Sequence, residues 1–198
     1  MSNLIEHTPI VHNGIFIYQL DQTKDYLNFF EKADYIMNEN SYVGTNLNIL
    51  QSMNKNLVSE IYNTTSDLIH NVLFMNCKFN IYKSWLTKTV PKGNSNSHSH
   101  SNSWLSGVFY PEQNKNFNII FYNDIMNCFY QEPNKISIYN MREYTITPKR
   151  NQLILFFSNL RHKINDNNSQ KDRYSLAFNL LPEGTFGEGD SKINLNHV

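Results

Sequence analysis

Apolar residues in the first part of the chain recur mostly at helical spacing. A short strand is predicted at residues 14–20 (GIFIYQL). Residues 23–40 then predict one amphipathic helix, because their apolar side chains lie three and four positions apart. The side chains of this stripe are Tyr26, Phe29, Phe30, Ala33 and Ile36. Residues 54–76 predict a second, longer helix, with a stripe formed by Leu57, Ile61, Leu68, Val72 and Leu73.

From residue 78 onward the hydrophobic period changes to two. Short runs rich in β-branched and aromatic residues are separated by Pro, Gly, Asn and Asp, which is typical of strands joined by turns. The runs are KFNIYKSWLTKTV, SWLSGVFY, FNIIFYN, KISIYNM, EYTITP, QLILFFSN and RYSLAFNLL. Seven or eight strands in about 100 residues predict a mainly β sandwich or barrel with the two N-terminal helices packed on one outer face. With no internal repeat or linker, residues 1–198 are expected to form a single domain, with a helical part at about 21–77 and a β core at about 78–184.

Charge and cysteine content narrow the classes of partner and compartment. Lys and Arg together number 17, as do Asp and Glu, so no net charge would attract nucleic acid or an anionic membrane. Cys77 and Cys128 are too few for a secreted disulfide framework, and the first residues lack the pattern of a signal peptide. No stretch approaches the ~18 apolar residues of a membrane span. We therefore expect a cytoplasmic protein with neither a nucleic-acid nor a membrane partner.

The segment GNSNSHSHSNSWLSGVFY contains two histidines that suggest a metal site. If this segment runs into a strand, His98 and His100 project from the same face, with Cα atoms roughly 7 Å apart, and their rings can share one ion. A third ligand is predicted at His162, which follows the apolar run NQLILFFSNLR. The alternative left open at this point is that His98 and His100 are solvated loop residues and that His162 is an ordinary strand-end histidine.

The last predicted strand carries a polar face. We expect the loop NDNNSQKD to return the chain antiparallel, so that Arg173 lies nearly opposite His162. Alternation places Tyr174, Leu176, Phe178 and Leu180 on a packing face and Arg173, Ser175, Ala177 and Asn179 on the other. A guanidinium and a hydroxyl beside a metal would form a receptor for a carboxylate. A surface Arg–Ser pair is the alternative.

Three segments of the chain resemble a family of 2-oxoglutarate–Fe(II) oxygenases common in marine phages and bacteria. HSHSNSWLSGVFY resembles the family's H-x-H-P-x-S-x-L-S-G-V-Y-Y core, LILFFSNLRH its L-x-L-F-P-S-x-L-x-H segment, and DRYSLAFNL its R-x-S-x-x-F-N ending. The segments follow the family's order within about residues 82–187. Ser101 and Phe157 stand where the family has prolines, and FYNDIM replaces an Asp-Pro-Arg, so that only Asp124 remains.

The resemblance implies a fold, a cofactor and a set of site residues. The fold would be a double-stranded β-helix of the jelly-roll or cupin type. Fe(II) would be held by His98, His100 and His162, the co-substrate 2-oxoglutarate would be bound by Arg173 and Ser175, and O2 would be consumed. Asn179 and Tyr110 are further expected cofactor-binding residues. Because oxygenases of this wider group usually use an Asp or Glu as the second ligand, Asp124 is kept as a minor candidate for a ligand or for a group that supports one.

The implied function is a dioxygenase that hydroxylates an unidentified substrate and releases succinate and CO2. A zinc hydrolase or hydratase with three histidine ligands is one alternative, and a non-catalytic metal-binding β-helix module is another. Trp85, Trp104 and Tyr110 either line a substrate pocket or belong to the core. We expect a small-molecule or peptide substrate. A homodimer is compatible with the sequence, as is the host cytoplasm if a phage encodes the protein.

Overall fold

Two antiparallel sheets form the core of the computed structural model, which describes residues 13–113, 116–123, 134–137 and 140–196. The strands are β1 Ile15–Gln19, β2 Tyr35–Asn38, β3 Ser41–Gly44, β4 Lys78–Thr89, β5 Ser95–His98, β6 Leu105–Tyr110, β7 Ile119–Tyr122, β8 Glu143–Ile146, β9 Gln152–Phe157, β10 His162–Ile164, β11 Arg173–Phe186 and β12 Ile193–Leu195. The helices are α1 Leu27–Glu31 and α2 Lys55–Asp67, the latter continued by a π-helical turn, Leu68–Val72. Two 3₁₀ turns cover Ile49–Ser52 and Gly189–Ser191.

The chain winds between the two sheets. The larger sheet has the order β1-β9-β6-β11-β4-β3-β2, with β12 paired to β11, and the smaller has the order β5-β10-β7-β8. From β4 to β11 the chain therefore passes repeatedly from one sheet to the other, which is how a jelly roll encloses an interior. This arrangement confirms the predicted double-stranded β-helix.

Two apolar clusters hold the layers together. The outer cluster joins the helices to the outer face of the larger sheet, where Leu57 and Ile61 of α2 belong to the same buried group as Leu86 and Leu176. The inner cluster lies between the sheets and includes Phe121 and Phe156. The packing of this second helix on one outer face of the sheet and the burial of Leu57, Ile61 and Leu68 are therefore as predicted, whereas Val72, placed on the same stripe, is 44% exposed. None of the helices in the described ranges is long and apolar enough to cross a bilayer.

The first predicted helix is largely wrong. Only Leu27–Glu31 is α-helical, and Tyr35–Asn38 forms β2, which pairs antiparallel with β3. Glu39, with φ 51°, lies at the turn of this hairpin. The spacing of Ala33 and Ile36 satisfied a helical period, but β3 offers a strand partner that residue spacing alone does not reveal.

A predicted strand at residues 135–141 is also wrong for the part that the structure describes, residues 135–137, 140 and 141. A turn closed by Asn140 replaces it. The Asn140 side-chain amide donates to the Lys135 carbonyl at 2.9 Å and its Oδ1 accepts from the Ser137 N–H at 2.7 Å. Local hydrogen bonds of this kind compete with a strand ladder for the same backbone groups.

Candidate active site

The smaller sheet places two histidines side by side. His98 ends β5 and His162 begins β10, and the two residues are direct partners in the antiparallel register. Their ring centroids are 4.5 Å apart. Neighbouring strands of a sheet hold such a pair rigidly, because each backbone fixes the other.

His100 completes the cluster from outside the strand. Since β5 ends at His98, the prediction that one strand face carries both histidines is wrong. The His100 N–H instead donates to the Ser158 carbonyl at 2.8 Å, just beyond β9. Its ring centroid lies 5.2 Å from those of both His98 and His162. One ring nitrogen of each histidine lies within 4.8 Å of the others, so small ring rotations bring all three to an ion about 2.1 Å from each.

Backbone carbonyls orient two of the three rings. His98 Nδ1 lies 2.8 Å from the Asn96 carbonyl oxygen, and His162 Nδ1 lies 3.0 Å from that of Leu160. Because a carbonyl can only accept, both Nδ1 atoms carry the proton and both Nε2 atoms present a lone pair. Metal-binding histidines usually have such a partner on the second nitrogen.

The surroundings of His100 and His162 keep these two imidazoles neutral. Burial, together with the neighbouring His98, lowers the pKa of His162 to about 3 and that of His100 to about 4. The ring of Phe156 lies 4.8 Å from His162, and that of Trp85 lies 5.9 Å from His100. At neutral pH both rings can therefore bind a metal without first losing a proton.

Histidines alone make up this cluster within the described part of the chain. Asp124, the minor carboxylate candidate, lies outside the described residues. The set of three imidazoles can hold a divalent transition metal such as iron or zinc, and three neutral ligands leave the whole charge of the ion to be balanced by other groups.

Arg173 faces the interior from the opposite sheet. It begins β11 and pairs with Thr89 of β4, whereas β10 pairs with β5 and β7. The expectation that Arg173 lies opposite His162 in a hairpin is therefore wrong. The connecting loop crosses between the sheets and is fastened by Asn167, whose side-chain amide donates to the Thr89 carbonyl at 2.9 Å.

The alternation predicted for β11 is confirmed. Tyr174, Leu176, Phe178 and Leu180 belong to the outer apolar cluster. Arg173, Ser175 and Asn179 are buried on the other face, with 2%, 6% and 7% of their surface exposed. A polar row of this kind inside a β-helix needs partners, because buried polar groups without hydrogen bonds are costly.

The guanidinium of Arg173 is only partly satisfied. It lies against the rings of Phe117 and Tyr110, and its hydrogen bond from Nη1 to Thr89 Oγ1 is long at 3.4 Å. Arg173 Nε and the Tyr110 hydroxyl are buried without a close hydrogen-bond partner, although the two residues interact electrostatically with each other. Burial lowers the pKa of Arg173 to about 9, which leaves it cationic at neutral pH. A buried cation beside two unpaired donors fits an incoming carboxylate, such as the distal carboxylate of a keto diacid.

Asn179 belongs to a chain of buried hydroxyl groups that residue spacing did not reveal. Ser106 Oγ donates to Asn179 Oδ1 at 2.8 Å and lies 2.8 Å from Ser158 Oγ, which donates to Ser103 Oγ at 2.9 Å. The Ser158 carbonyl also accepts from His100. The chain of hydroxyl groups thus links the polar face of β11 to the backbone of the histidine cluster. Serines inside the apolar runs SWLSGVFY and LILFFSN were the available signal.

The three candidate pocket aromatics take different places. Trp85 contacts the His100 ring and Tyr110 contacts the Arg173 guanidinium, whereas Trp104 packs against the outer apolar cluster. Two of the three therefore line the candidate site.

Comparison with known proteins identifies the class of fold. In structure the chain is similar to the epimerase SnoN from nogalamycin biosynthesis, in complex with Fe3+, alpha ketoglutarate and nogalamycin RO (TM-score 0.62, 9% identity, covering 85% of this chain and 79% of that one). It is also similar to HygX from Streptomyces hygroscopicus with nickel, 2-oxoglutarate and hygromycin B bound (0.59, 7%, 86% and 83%). A third is a prolyl hydroxylase from Trichoplax adhaerens in complex with a hypoxia inducible factor peptide fragment (0.53, 12%, 85% and 84%). At these identities the likeness shows a shared fold.

A match in sequence identifies the family of the chain. Residues 83–179, about half of the chain, match the model of the family described as "Putative 2OG-Fe(II) oxygenase". No curated protein is similar enough in sequence to be matched to the chain. The matched segment contains the three histidines, Arg173, Ser175 and Asn179. The chain therefore belongs to the 2-oxoglutarate–Fe(II) oxygenases and is an Fe(II)- and 2-oxoglutarate-dependent dioxygenase.

Proposed function

We propose that His98, His100 and His162 bind the catalytic Fe(II), and that Arg173, Ser175 and Tyr110 bind the distal carboxylate of 2-oxoglutarate. The observation that carries this assignment is that a histidine cluster and a buried guanidinium both lie between the two sheets. His98 and His162 of the smaller sheet converge with His100, and burial keeps the rings of His100 and His162 neutral. A buried guanidinium with an unpaired N–H lies on the larger sheet. A keto diacid needs a metal at one end and a cation at the other.

The protein's own residues supply orientation and exclusion of water. The iron with its co-substrate and O2 supplies the oxidising power, which hydroxylates a C–H bond and converts 2-oxoglutarate to succinate and CO2. Asn96 and Leu160 hold the His98 and His162 rings in the tautomer that presents Nε2. Arg173 and Ser175 would fix the keto acid so that it meets the metal in one orientation. Asn179, held by Ser106, would present its amide to the same cavity.

Charge balance supports the choice of this co-substrate. Three neutral imidazoles leave two positive charges on Fe(II), and Arg173 adds a third within the same interior. A dianionic keto acid compensates two of these charges in a partly buried site, where electrostatic attraction is stronger than in bulk water. An acidic ligand such as Asp124 would reduce this attraction, and we propose that Asp124 is not a metal ligand.

A zinc hydrolase and a non-catalytic module are the alternatives that use the same three histidines. Neither needs a buried, partly unpaired guanidinium on the opposite sheet. Zinc-activated water requires only the metal and an open coordination position. Arg173 therefore favours the oxygenase.

Turnover of the co-substrate separates these functions. With Fe(II), O2 and 2-oxoglutarate, we expect the protein to form succinate slowly without a primary substrate, and His162→Ala to lose this activity because the metal site loses its most buried ligand. Succinate is measured by mass spectrometry, with Zn(II)-loaded protein as the matched control. Equal succinate from the Zn(II) form, or none from the Fe(II) form in which bound 2-oxoglutarate is verified, would contradict the assignment.

The primary substrate is proposed at the level of class. The similar structures include bound small molecules and a peptide fragment, and we propose that this enzyme likewise acts on a small molecule or a peptide. The absence of net charge argues against a nucleic-acid substrate. We also propose a cytoplasmic location, in the host if a phage encodes the protein. A search of lysate for components that gain one oxygen atom would identify the substrate.

A further inference from the structure

Besides Tyr110, Arg173 has a second neighbour with a buried polar atom that lacks a hydrogen-bond partner. In the described part of the chain, five buried side-chain atoms lack a hydrogen-bond partner, and three of them belong to Arg173, Tyr110 and Glu112. Glu112 lies two residues after the end of β6, and the β6–β11 register, in which Phe109 pairs with Leu176, places it opposite Arg173 when continued past the strand end. Its carboxylate accepts the backbone N–H of Tyr174, the residue after Arg173, while Oε1 is buried and unpaired. A carboxyl group thus lies at the same end of the interior as the guanidinium.

Glu112 and Arg173 interact without forming a close ion pair. No ion pair within 4.0 Å joins the described residues Glu112 and Arg173. Even so, the positive charge of Arg173 acts to lower the pKa of Glu112, and Glu112 acts to raise the pKa of Arg173. In the absence of co-substrate, the carboxyl group of Glu112 therefore partly balances the buried charge of Arg173.

Binding of the co-substrate changes this balance. A second carboxylate placed beside Arg173 would share one guanidinium with Glu112. Two carboxylates in one desolvated site cannot both stay ionised cheaply, so one of them tends to hold a proton. We propose that Glu112 is part of the co-substrate receptor and takes up one proton from solvent when the distal carboxylate of 2-oxoglutarate binds to Arg173. This inference rests on the proposed function and assigns a proton to a named atom of the site, the unpaired Oε1.

The groups around Glu112 favour this proton transfer. Burial is the largest influence and raises its pKa, and the negative charge of Glu31 at the end of α1 raises it further. Arg173 and Lys171 oppose this, as does the hydrogen bond from the Tyr174 backbone. When the ligand carboxylate binds to Arg173, its negative charge largely cancels the effect by which Arg173 lowers the pKa of Glu112. Protonated Glu112 then has an O–H that can donate to the bound carboxylate.

Proton uptake by Glu112 makes the affinity for 2-oxoglutarate depend on pH. Because the complex binds one more proton than its separated parts, affinity for 2-oxoglutarate falls as the pH rises above the pKa of free Glu112. The carboxylates of 2-oxoglutarate itself are ionised throughout the range from about pH 6 to 8 and contribute no proton change there.

Calorimetric titration of 2-oxoglutarate into Fe(II)-loaded protein under nitrogen tests this inference. Runs at equal pH in two buffers of different ionisation enthalpy give the number of protons taken up. We expect uptake approaching one proton for the wild type at pH 8 and near zero for Glu112→Gln, which keeps an oxygen for the Tyr174 N–H. Uptake near one proton at pH 8 requires the pKa of Glu112 to rise by about two units or more on binding, from about one unit or more below that pH to about one unit or more above it. The variant has no charge to neutralise, so it should bind at least about tenfold tighter than the wild type at pH 8.

The matched control is Glu31→Gln, which removes the other carboxylate that acts on Glu112. It should retain the proton uptake and stay within about twofold of the wild-type affinity, because it does not touch the ligand. Equal proton uptake by wild type and Glu112→Gln would overturn the role of Glu112 and leave the proposed function standing. Failure of the iron-loaded wild type to bind 2-oxoglutarate would overturn both.

Discussion

Replacing Arg173 by alanine should weaken 2-oxoglutarate binding by at least ~30-fold while leaving iron binding unchanged. Arg173 is 2% exposed and lies on the sheet opposite His98 and His162. Its loss therefore removes the cation of the proposed carboxylate receptor without touching the histidine cluster. Loss of one charge-assisted buried partner typically costs about 2 to 5 kcal/mol. Titration of 2-oxoglutarate into the iron-loaded variant under nitrogen measures the effect.

Two variants serve as controls for Arg173→Ala. Ser175→Ala should cost only about 1 kcal/mol, because a hydroxyl contributes a neutral hydrogen bond. Arg150→Ala removes an exposed arginine that lies just before β9 and is ion-paired to Asp25. This variant should leave the affinity for 2-oxoglutarate unchanged. Unchanged 2-oxoglutarate affinity in Arg173→Ala would mean that the carboxylate receptor lies elsewhere.

Each of His98→Ala, His100→Ala and His162→Ala should abolish stoichiometric Fe(II) binding. Only three protein ligands are available in the described cluster, so removal of one leaves two imidazoles. Because the remaining pair has no charged ligand to strengthen it, we expect affinity to fall by two orders of magnitude or more, beyond the ~10- to 100-fold typical of losing an outer-shell partner. Anaerobic equilibrium dialysis with quantification of iron per chain measures the result.

His70→Ala and Asp124→Asn are the controls for the metal site. His70 lies in the π-helical turn, far along the chain from the cluster, and bonds to Ser66 and to the Cys77 carbonyl. Both variants should retain one iron per chain. Full binding by His100→Ala, or loss of iron from a folded Asp124→Asn protein, would contradict the all-histidine assignment.

Local patterns in the sequence were enough to predict several features. Alternation along β11 separated Tyr174, Leu176 and Phe178 from the polar face, because side chains of a strand point to opposite sides wherever its partners lie. The two-residue spacing of His98 and His100 was likewise a local signal. The apolar stripe of α2 predicted its buried face for the same reason.

Contacts between distant residues could not be predicted in this way. Arg173 joins the larger sheet through Thr89, 84 residues earlier, so its place relative to His162 depended on which sheet β11 enters. The hydrogen bond between Ser106 and Asn179 spans 73 residues and requires the strand register. Residues 35–38 suited both a helical and a strand period, and pairing with β3 decided between them.

Anaerobic addition of 2-oxoglutarate to the Fe(II)-loaded wild-type protein tests the central claim most directly. A keto acid that chelates iron through its carboxylate and keto oxygens gives a weak visible metal-to-ligand charge-transfer band. We predict that this band appears, saturates at one 2-oxoglutarate per iron, and is absent from His162→Ala. A purified protein that holds stoichiometric zinc, and that shows no such band after zinc is exchanged for Fe(II), would contradict the account.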